Sequence, residues 1–406
     1  MAARLIPCLF LVLLGGCSDS APEVPLGADA DEHGHTAALA ATADANRAAL
    51  DALPLADRSD EDDVRRGLLR AEPRVRVEDA DGMVIWDSAA YAYIDGEAPD
   101  TVHPSLWRQE TLNNVHGLFE LADGVYQVRG YDLANMMLIA GETGWIVVDP
   151  LTAAETARAA MALVEAEFGP RPVSAVIFSH SHVDHFGGAL GVVSPEDAAG
   201  IDVVAPAGFL EAATSENVLA GAAMTRRAAF MYGMRLAHGP RGHVGSGLGK
   251  APARGTISVL PPTITIDRTP QPLMIDGVEF IFQNAPNTEA PAELVFYLPK
   301  QRLLAISELV MHTQHNLYTL RGAPVRDASA WSGAIDEAMR LFPDAEVLAP
   351  AHHWPTWGAE AIREQLALQR DLYRFIHDQT LRLANQGLTA GEIAETLELP
   401  ESLAQA

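Results

Sequence analysis

The sequence predicts an α/β fold, and three observations carry that reading. A β-branched and aromatic run, Val173 to Phe178, breaks abruptly into His180, His182, Asp184 and His185, followed by two glycines. Just upstream, strand-like segments give way to a helical stretch, Thr152 to Phe168. Downstream, five short β-branched segments divided by turn residues precede a helical C-terminal end. Strands and helices interleaved in this way build packed sheets rather than a bundle or an all-β barrel.

Composition bounds the rest. A chain of 406 residues can form one large or two modest domains with a substantial core. Its formal net charge of −26 repels phosphate backbones, so nucleic acid is excluded as a general partner, and an anionic substrate needs a local cationic pocket. The two cysteines, Cys8 and Cys17, both fall in the first seventeen residues, which leaves no disulfide framework for a mature chain. Arg4 precedes a short apolar run, Leu5 to Leu14, that ends in Gly15-Gly16-Cys17. This resembles a bacterial lipoprotein signal over residues 1–17, with Cys17 lipidated and Ser18 giving no inner-membrane retention cue. The expected location is periplasmic, anchored at the outer membrane through that lipid; the alternative is an ordinary secretory signal cut nearby.

Residues 18–65, rich in Ala and Asp, read as a tether with some helical tendency, in which His33 and His35 are solvated. A catalytic domain is expected over residues 66–358. Gly124 to Arg129, Asn135 to Ile139 and Trp145 to Val148 read as strands, the last closing on Asp149. After the histidine-rich motif, Ala207 to Met234 reads as largely helical and contains Arg226-Arg227. The glycine-rich loop behind it lacks the spacing and the preceding strand of a phosphate-binding loop. The five later strands are Thr256 to Leu260, Pro272 to Ile275, Val278 to Gln283, Leu294 to Leu298 and Leu303 to Ser307.

The motif itself dictates chemistry. On an extended segment, alternation puts His180, His182 and Asp184 on one side, and a turn at Asp184–His185 brings the last imidazole round. Two adjacent cation sites follow, and neutral imidazoles with a carboxylate suit zinc or a similar borderline ion. Such a centre needs more donors at neighbouring strand ends. Glu289 in the turn PNTEAP, Glu308 after LLAIS, and His352 and His353 after EVLAP are the candidates.

The stretch HSHVDHFGG resembles the signature of the metallo-β-lactamase superfamily, which implies an αββα sandwich. Together with VYQVRGYDLANM, NTEAPAELVFYLP, HNLYTLRGAPVRD and HHWPTWG, in the same order from about Trp86 onward, it resembles the alkylsulfatase branch. That branch includes the enzyme that hydrolyses dodecyl sulfate. The resemblance implies two Zn2+ per chain: one on His180, His182 and Glu289, the other on Asp184, His185 and His353, with Glu308 bridging. His353 is preferred to His352 because its distance from Glu308 matches the family. Asp149 is expected to brace the metal loop, and Glu293 to support the ligands. The resemblance also implies that Asn316 and Arg321 contact sulfate, and the planar fork of Arg321 suits sulfate oxygens in its own right. Tyr232, in an insertion that overhangs the site in the superfamily, is a further substrate contact. His312 and His315 are alternatives for the proton donor to a leaving group.

The expected activity is hydrolysis of an alkyl sulfate to alcohol and inorganic sulfate by metal-activated hydroxide, with Asp184, Glu308 and Arg321 as the catalytic set. Alternatives are another hydrolase of the same fold, of lactamase, thioesterase or glyoxalase type, or a surface lipoprotein that binds sulfated or fatty ligands without turnover. Residues 359–406, helical over Ala359 to Asn385 and again from Thr389 to Leu397, resemble the start of a dimerisation domain, so a homodimer is expected. The family adds a lipid-carrier-like domain beyond the point at which this chain ends, Ala406.

Overall fold

A computed structural model describes residues 29–55 and 57–404; Cys8, Cys17 and the expected signal lie outside the described residues. The chain divides into two units, residues 1–37 and 38–406. In the first, the Asp31 carboxylate accepts the backbone N–H groups of His33 at 2.9 Å and His35 at 2.8 Å, which folds both histidines into a local turn.

The second unit starts earlier than composition suggests. Residues read as tether form helices Ala40–Ala52 and Ser59–Asp63. Val64 is buried against Leu112 and Trp354, and Asp60 accepts from Arg108 at 2.8 Å. Alanine-rich sequence hides this segment because few large side chains mark its packed face.

Two sheets form the body. One has eight strands in the order Leu68–Arg70, Gly117–Ala122, Val125–Arg129, Met136–Ala140, Trp145–Val148, Val173–Ile177, Asp202–Pro206 and Ile264–Ile266. The other has six: Gln271–Ile275, Val278–Asn284, Leu294–Leu298, Leu303–Ser307, Val347–Pro350 and Thr356–Trp357. Strand alternation sorts their side chains into layers. Ile146 and Val148 face Phe280, Phe282 and Phe296 of the opposite sheet, while Trp145 and Val147 face Leu163 and Val164 of helix Ala154–Phe168. On the second sheet Leu304 and Ile306 turn outward beneath Trp331 and Ile335 of helix Ala328–Leu341 and Leu366 and Tyr373 of helix Ala359–Asn385. Each such side chain stabilises the fold by about 1.5–3 kcal/mol on burial. The result is the expected αββα sandwich. Among the described residues no helix is long and apolar enough to cross a membrane.

Parallel pairing gathers strand ends at one edge. Trp145–Val148, Val173–Ile177 and Asp202–Pro206 run parallel in the first sheet, as do Leu303–Ser307 and Val347–Pro350 in the second. At that edge the sheets are stitched together: His180 bridges to Glu293, the Leu294 N–H donates to the Ser179 carbonyl at 2.8 Å, and the Ser181 N–H to Ala292 at 3.2 Å.

One expected strand is absent. Thr256 to Leu260 is irregular because its polar groups serve neighbouring elements. Thr256 accepts the Ala154 N–H at the helix start and donates to Glu155, and the Ser258 N–H donates to the Gly187 carbonyl at 2.7 Å. The stretch from Ala207 to Met234 is helical as expected, in two pieces, Phe209–Thr214 and Gly221–Met231. A π-turn, Ser215–Leu219, joins them.

Candidate metal centre

The metal loop leaves the strand Val173–Ile177 in a tightly held path. Asp149, at the end of the neighbouring parallel strand, accepts the Ser179 N–H at 2.8 Å and the Ser179 hydroxyl at 2.6 Å, and it lies 3.0 Å from His185 Nδ1. It therefore braces the loop. The two glycines permit close approach: a Cβ on Gly187 would stand 2.2 Å from the Thr152 carbonyl oxygen, and one on Gly188 would stand 2.1 Å from that of Pro150. Non-glycine residues at this edge adopt left-handed backbone, Asp149 at φ 52°, Ser307 at φ 54° and His353 at φ 64°, at about 1–3 kcal/mol each. Strain of this size persists where surrounding contacts dictate the geometry.

Three overlapping groups of donors result: His180, His182 and Glu289; Asp184, His185, Glu308 and His352; and Glu289, Glu308 and His315. Glu308 is common to two of them. Its Oε1 lies 2.8 Å from His185 Nε2 and 2.8 Å from His352 Nε2, and 3.5 Å from His180 Nε2. Its Oε2 lies 3.1 Å from His315 Nε2. Glu289 Oε2 stands 2.9 Å from His182 Nδ1 and 3.4 Å from His180 Nε2. Asp184 Oδ2 lies 3.3 Å from His185 Nε2.

The donor set fits metal ions. His180 Nε2 and Glu289 Oε2 are buried and face each other without a hydrogen-bond partner among the described residues. Three carboxylates beside five imidazoles, almost all nine-tenths buried, form a cage of hard and borderline donors. The outer ring nitrogens are held as metal-binding imidazoles require: His185 Nδ1 by Asp149, His352 Nδ1 by the Leu133 carbonyl at 3.1 Å, and His180 Nδ1 by Ser179 at 3.0 Å.

The electrostatics match. Burial alone would raise both carboxylates. His352, with hydrogen bonds from His185 and His315, instead holds Glu308 well below the usual range, and His182 and Arg326 hold Glu289 down to about 2 despite the Glu308 charge. Burial, reinforced by His185, pushes His180 down to about 3, so its ring is a neutral donor. Glu293 is lifted to about 7 by burial and the Glu289 charge. It accepts the backbone N–H groups of Glu289 and Glu308 at 3.1 Å and 3.2 Å, and so aligns both ligand carboxylates from behind.

The structure departs from expectation at the paired histidines. His353 lies outside every donor group; its Nε2 reaches the Gly247 carbonyl at 2.7 Å and its Nδ1 accepts the His312 N–H at 3.3 Å. His352 takes the place foreseen for it. Adjacent residues beyond a strand end point opposite ways, and the left-handed turn at His353 sends its ring toward the glycine-rich loop. Spacing from Glu308 cannot separate the two. The two candidate proton donors also divide. His312 stacks on Trp354 with ring centroids 4.4 Å apart, whereas His315 joins the donor cluster.

Asn316, Arg321 and Tyr232 line a cavity of about 530 Å³ together with His182, Asp184, Glu289, Glu308 and His315. Arg321 pairs with Glu216 of the π-turn, a residue not foreseen. Arg326, five residues on, was also missed. It is buried, its Nε donates to the Glu289 carbonyl at 2.5 Å, and one terminal nitrogen pairs with the Glu289 carboxylate. The other terminal nitrogen donates to Asn316 Oδ1 at 2.7 Å. The only sequence signal for it was its place in the segment HNLYTLRGAPVRD.

Comparison with known proteins places this geometry in a family. The metallo-beta-lactamase superfamily model matches residues 129–352, which span every donor described. The chain belongs to the metallo-β-lactamase superfamily. Within that superfamily it is 47% identical over 369 residues to a linear primary-alkylsulfatase of Pseudomonas sp., covering 90% of this chain and 55% of that protein. It is 46% identical over 357 residues to the alkyl/aryl-sulfatase BDS1 of Saccharomyces cerevisiae, covering 87% and 55%. The solved structure of the stereoselective inverting sec-alkylsulfatase Pisa1 from Pseudomonas sp. matches with a TM-score of 0.88 at 42% identity, over 91% of this chain and 59% of that one. The chain thus spans about half the length of the curated relatives it matches.

Proposed function

We propose that this chain hydrolyses alkyl sulfate esters to an alcohol and inorganic sulfate at the cluster centred on Glu308. One observation carries the reading: Arg321 and Asn316 share a single cavity with the metal-binding carboxylates and imidazoles. A guanidinium and an amide donor beside a metal-ligand cage match the oxygens of an organic sulfate. The similarity to proteins named alkylsulfatases supports the same substrate class.

His180, His182 and Glu289, and Asp184, His185, Glu308 and His352, would each hold a divalent cation, which would lower the pKa of a bound water and offset the charge of the ester. The chain's own residues bind and orient around them. Arg326 occupies Asn316 Oδ1, which leaves the Asn316 Nδ2 as a donor. Arg321 exchanges the Glu216 carboxylate for the sulfate, one anion for another. Burial, with the nearby Asp184 and Glu308 charges, pushes the Tyr232 hydroxyl up, so it stays protonated and donates. Arg326 and the Asn316 carbonyl both lie 3.0 Å from His315 Nδ1 and fix its ring, whose Nε2 lies 3.1 Å from Glu308. Met231, Leu248 and Leu320 give the cavity apolar wall. Phe230, which precedes Met231 in the chain, is 84% exposed and offers apolar surface for an alkyl chain.

Sulfate release from dodecyl sulfate, compared with nitrocefin turnover and repeated with a chelator, tests the proposal. Chelator-sensitive sulfate release without nitrocefin turnover is the expected result. Nitrocefin turnover would favour a lactamase-type reading, and tight binding of dodecyl sulfate without release a binding protein. Hydrolysis in ¹⁸O-water then locates the bond broken, because label in the alcohol means C–O cleavage.

A further inference from the structure

Arg129 closes the strand Val125–Arg129 and is 3% exposed, yet no carboxylate pairs with it among the described residues. Its guanidinium lies over the Phe119 ring, 3.4 Å from the centroid, which satisfies one face. In the plane, one terminal nitrogen donates to the Val64 carbonyl at 2.9 Å, while Nε and the other terminal nitrogen have no partner among the described residues. A buried cation left in that state is costly unless an anion sits beside it.

A cavity of about 30 Å³ meets this group. Arg129, Val64, Asn113, Lys250 and Asp132 are among its lining residues, and the Val64 carbonyl also accepts from the Arg129 guanidinium. The Asn113 Nδ2 is a further buried donor at this wall, beside Glu110. The two acids here are engaged elsewhere. Asp132 accepts from the Leu133, Thr152 and Ala253 N–H groups and from the Thr152 and Thr156 hydroxyls. Glu110 pairs with Lys250 at 2.9 Å and accepts the Gly247 N–H at 2.9 Å. Lys250 is neutralised by Glu110 and donates to its carbonyl at 2.6 Å, so Arg129 is the cation on this wall that no carboxylate offsets. A volume above the ~10–15 Å³ that admits one water suits a single-atom ion and is small for an oxyanion.

We propose that Arg129, with Asn113 and Lys250 around it, forms a buried site for a monatomic, monovalent anion of the chloride class. A water would satisfy the donors but leave the charge uncompensated; a halide does both. The site has a structural consequence for the metal centre. The segment that follows Arg129 supplies the Leu133 carbonyl to His352 at 3.1 Å and the Asn135 amide to the His353 carbonyl at 2.9 Å. The bound anion steadies the strand end that orients His352.

The test uses the full chain. Crystals grown with sodium bromide in place of chloride are expected to show an anomalous peak in contact with Arg129 Nε and its free terminal nitrogen. In solution, at constant ionic strength with gluconate as the exchanging anion, Tm is expected to rise on the order of 2 °C per tenfold increase in chloride. Arg129→Met should abolish that rise, whereas a halide bound at the metal cluster would survive the substitution. Density in the cavity without anomalous signal would assign it to water and overturn the proposal. So would an undiminished chloride response in Arg129→Met. The bromide result stands even if that variant does not fold.

Discussion

On the first sheet, His180, His182, Asp184 and His185 come from six consecutive residues. On the second, Glu289, Glu308, His315 and His352 come from three separate connections, Glu308 and His315 sharing the one after Leu303–Ser307. The first half carries its geometry locally, in the strand exit, the Asp149 brace and the paired glycines. The second half exists only once the two sheets close and Glu308 is carried between His185 and His352. Strain and support are shared across that seam: Ser307 and His353 take left-handed backbone on one side, Asp149 on the other. A metal centre assembled from a local motif and a dispersed set depends on the packing of the sandwich as much as on the ligands.

Removal of metal breaks both halves at once and is expected to have the largest effect. Dialysis against a chelator should lower sulfate release about 10³-fold or more, restored by zinc. It should also lower the unfolding temperature, since Asp184, Glu289 and Glu308 then lose the cations that offset much of their charge and keep only partners such as Arg326 and His185. Activity unchanged after metal is shown to be gone would separate the cage from catalysis.

The paired histidines sharpen the comparison. His352→Asn is expected to lower activity more than 100-fold and to reduce bound metal, a larger loss than substitutions around ligands produce. His353→Asn should leave metal content intact and act through stability, because its ring holds the glycine-rich loop at Gly247. Metal analysis of both variants decides, and the reverse pattern would return the ligand role to His353.

This pair also marks where the sequence stopped being legible. The α/β class and the metal loop follow from strand composition, turn residues and the tight run of donors, whereas the αββα layering and the Asp149 brace were implied by the resemblance to the metallo-β-lactamase superfamily. Which of two adjacent histidines faces inward is decided by a backbone turn at His353, and no spacing records that. The tether was read as unpacked because small side chains such as Ala43 bury little area. Thr256 to Leu260 was read as a strand because its composition is strand-like, although its hydrogen bonds are spent on Glu155 and Gly187. Arg326 was legible as a residue but not as a partner: what it holds, Glu289 and Asn316, comes from two loops separated by the strands Leu294–Leu298 and Leu303–Ser307.

Arg326→Met probes the dispersed half alone. It frees the Glu289 carboxylate and lets Asn316 rotate, and a loss of about 10- to 100-fold in kcat/KM is expected, with weaker metal retention. The contacts proposed for sulfate have a comparable effect in one case and a smaller one in the other. Arg321→Ala should lower kcat/KM by about 10- to 100-fold through loss of a charged hydrogen bond, with metal content unchanged. Glu216→Gln should move the other way, lowering KM by up to about fivefold, because the anion that occupies Arg321 is then neutral. Steady-state kinetics on dodecyl sulfate separates the two, and a raised KM in Glu216→Gln would show that Glu216 aids binding rather than competing with it.

Glu308 is where the two halves meet, and metal-to-protein stoichiometry of Glu308→Gln against the parent chain measures that junction. Two metal ions per parent chain, falling to one or none in the variant with loss of sulfate release, is the result this account predicts. Only trace metal in the parent chain, or two ions retained in Glu308→Gln, would contradict it.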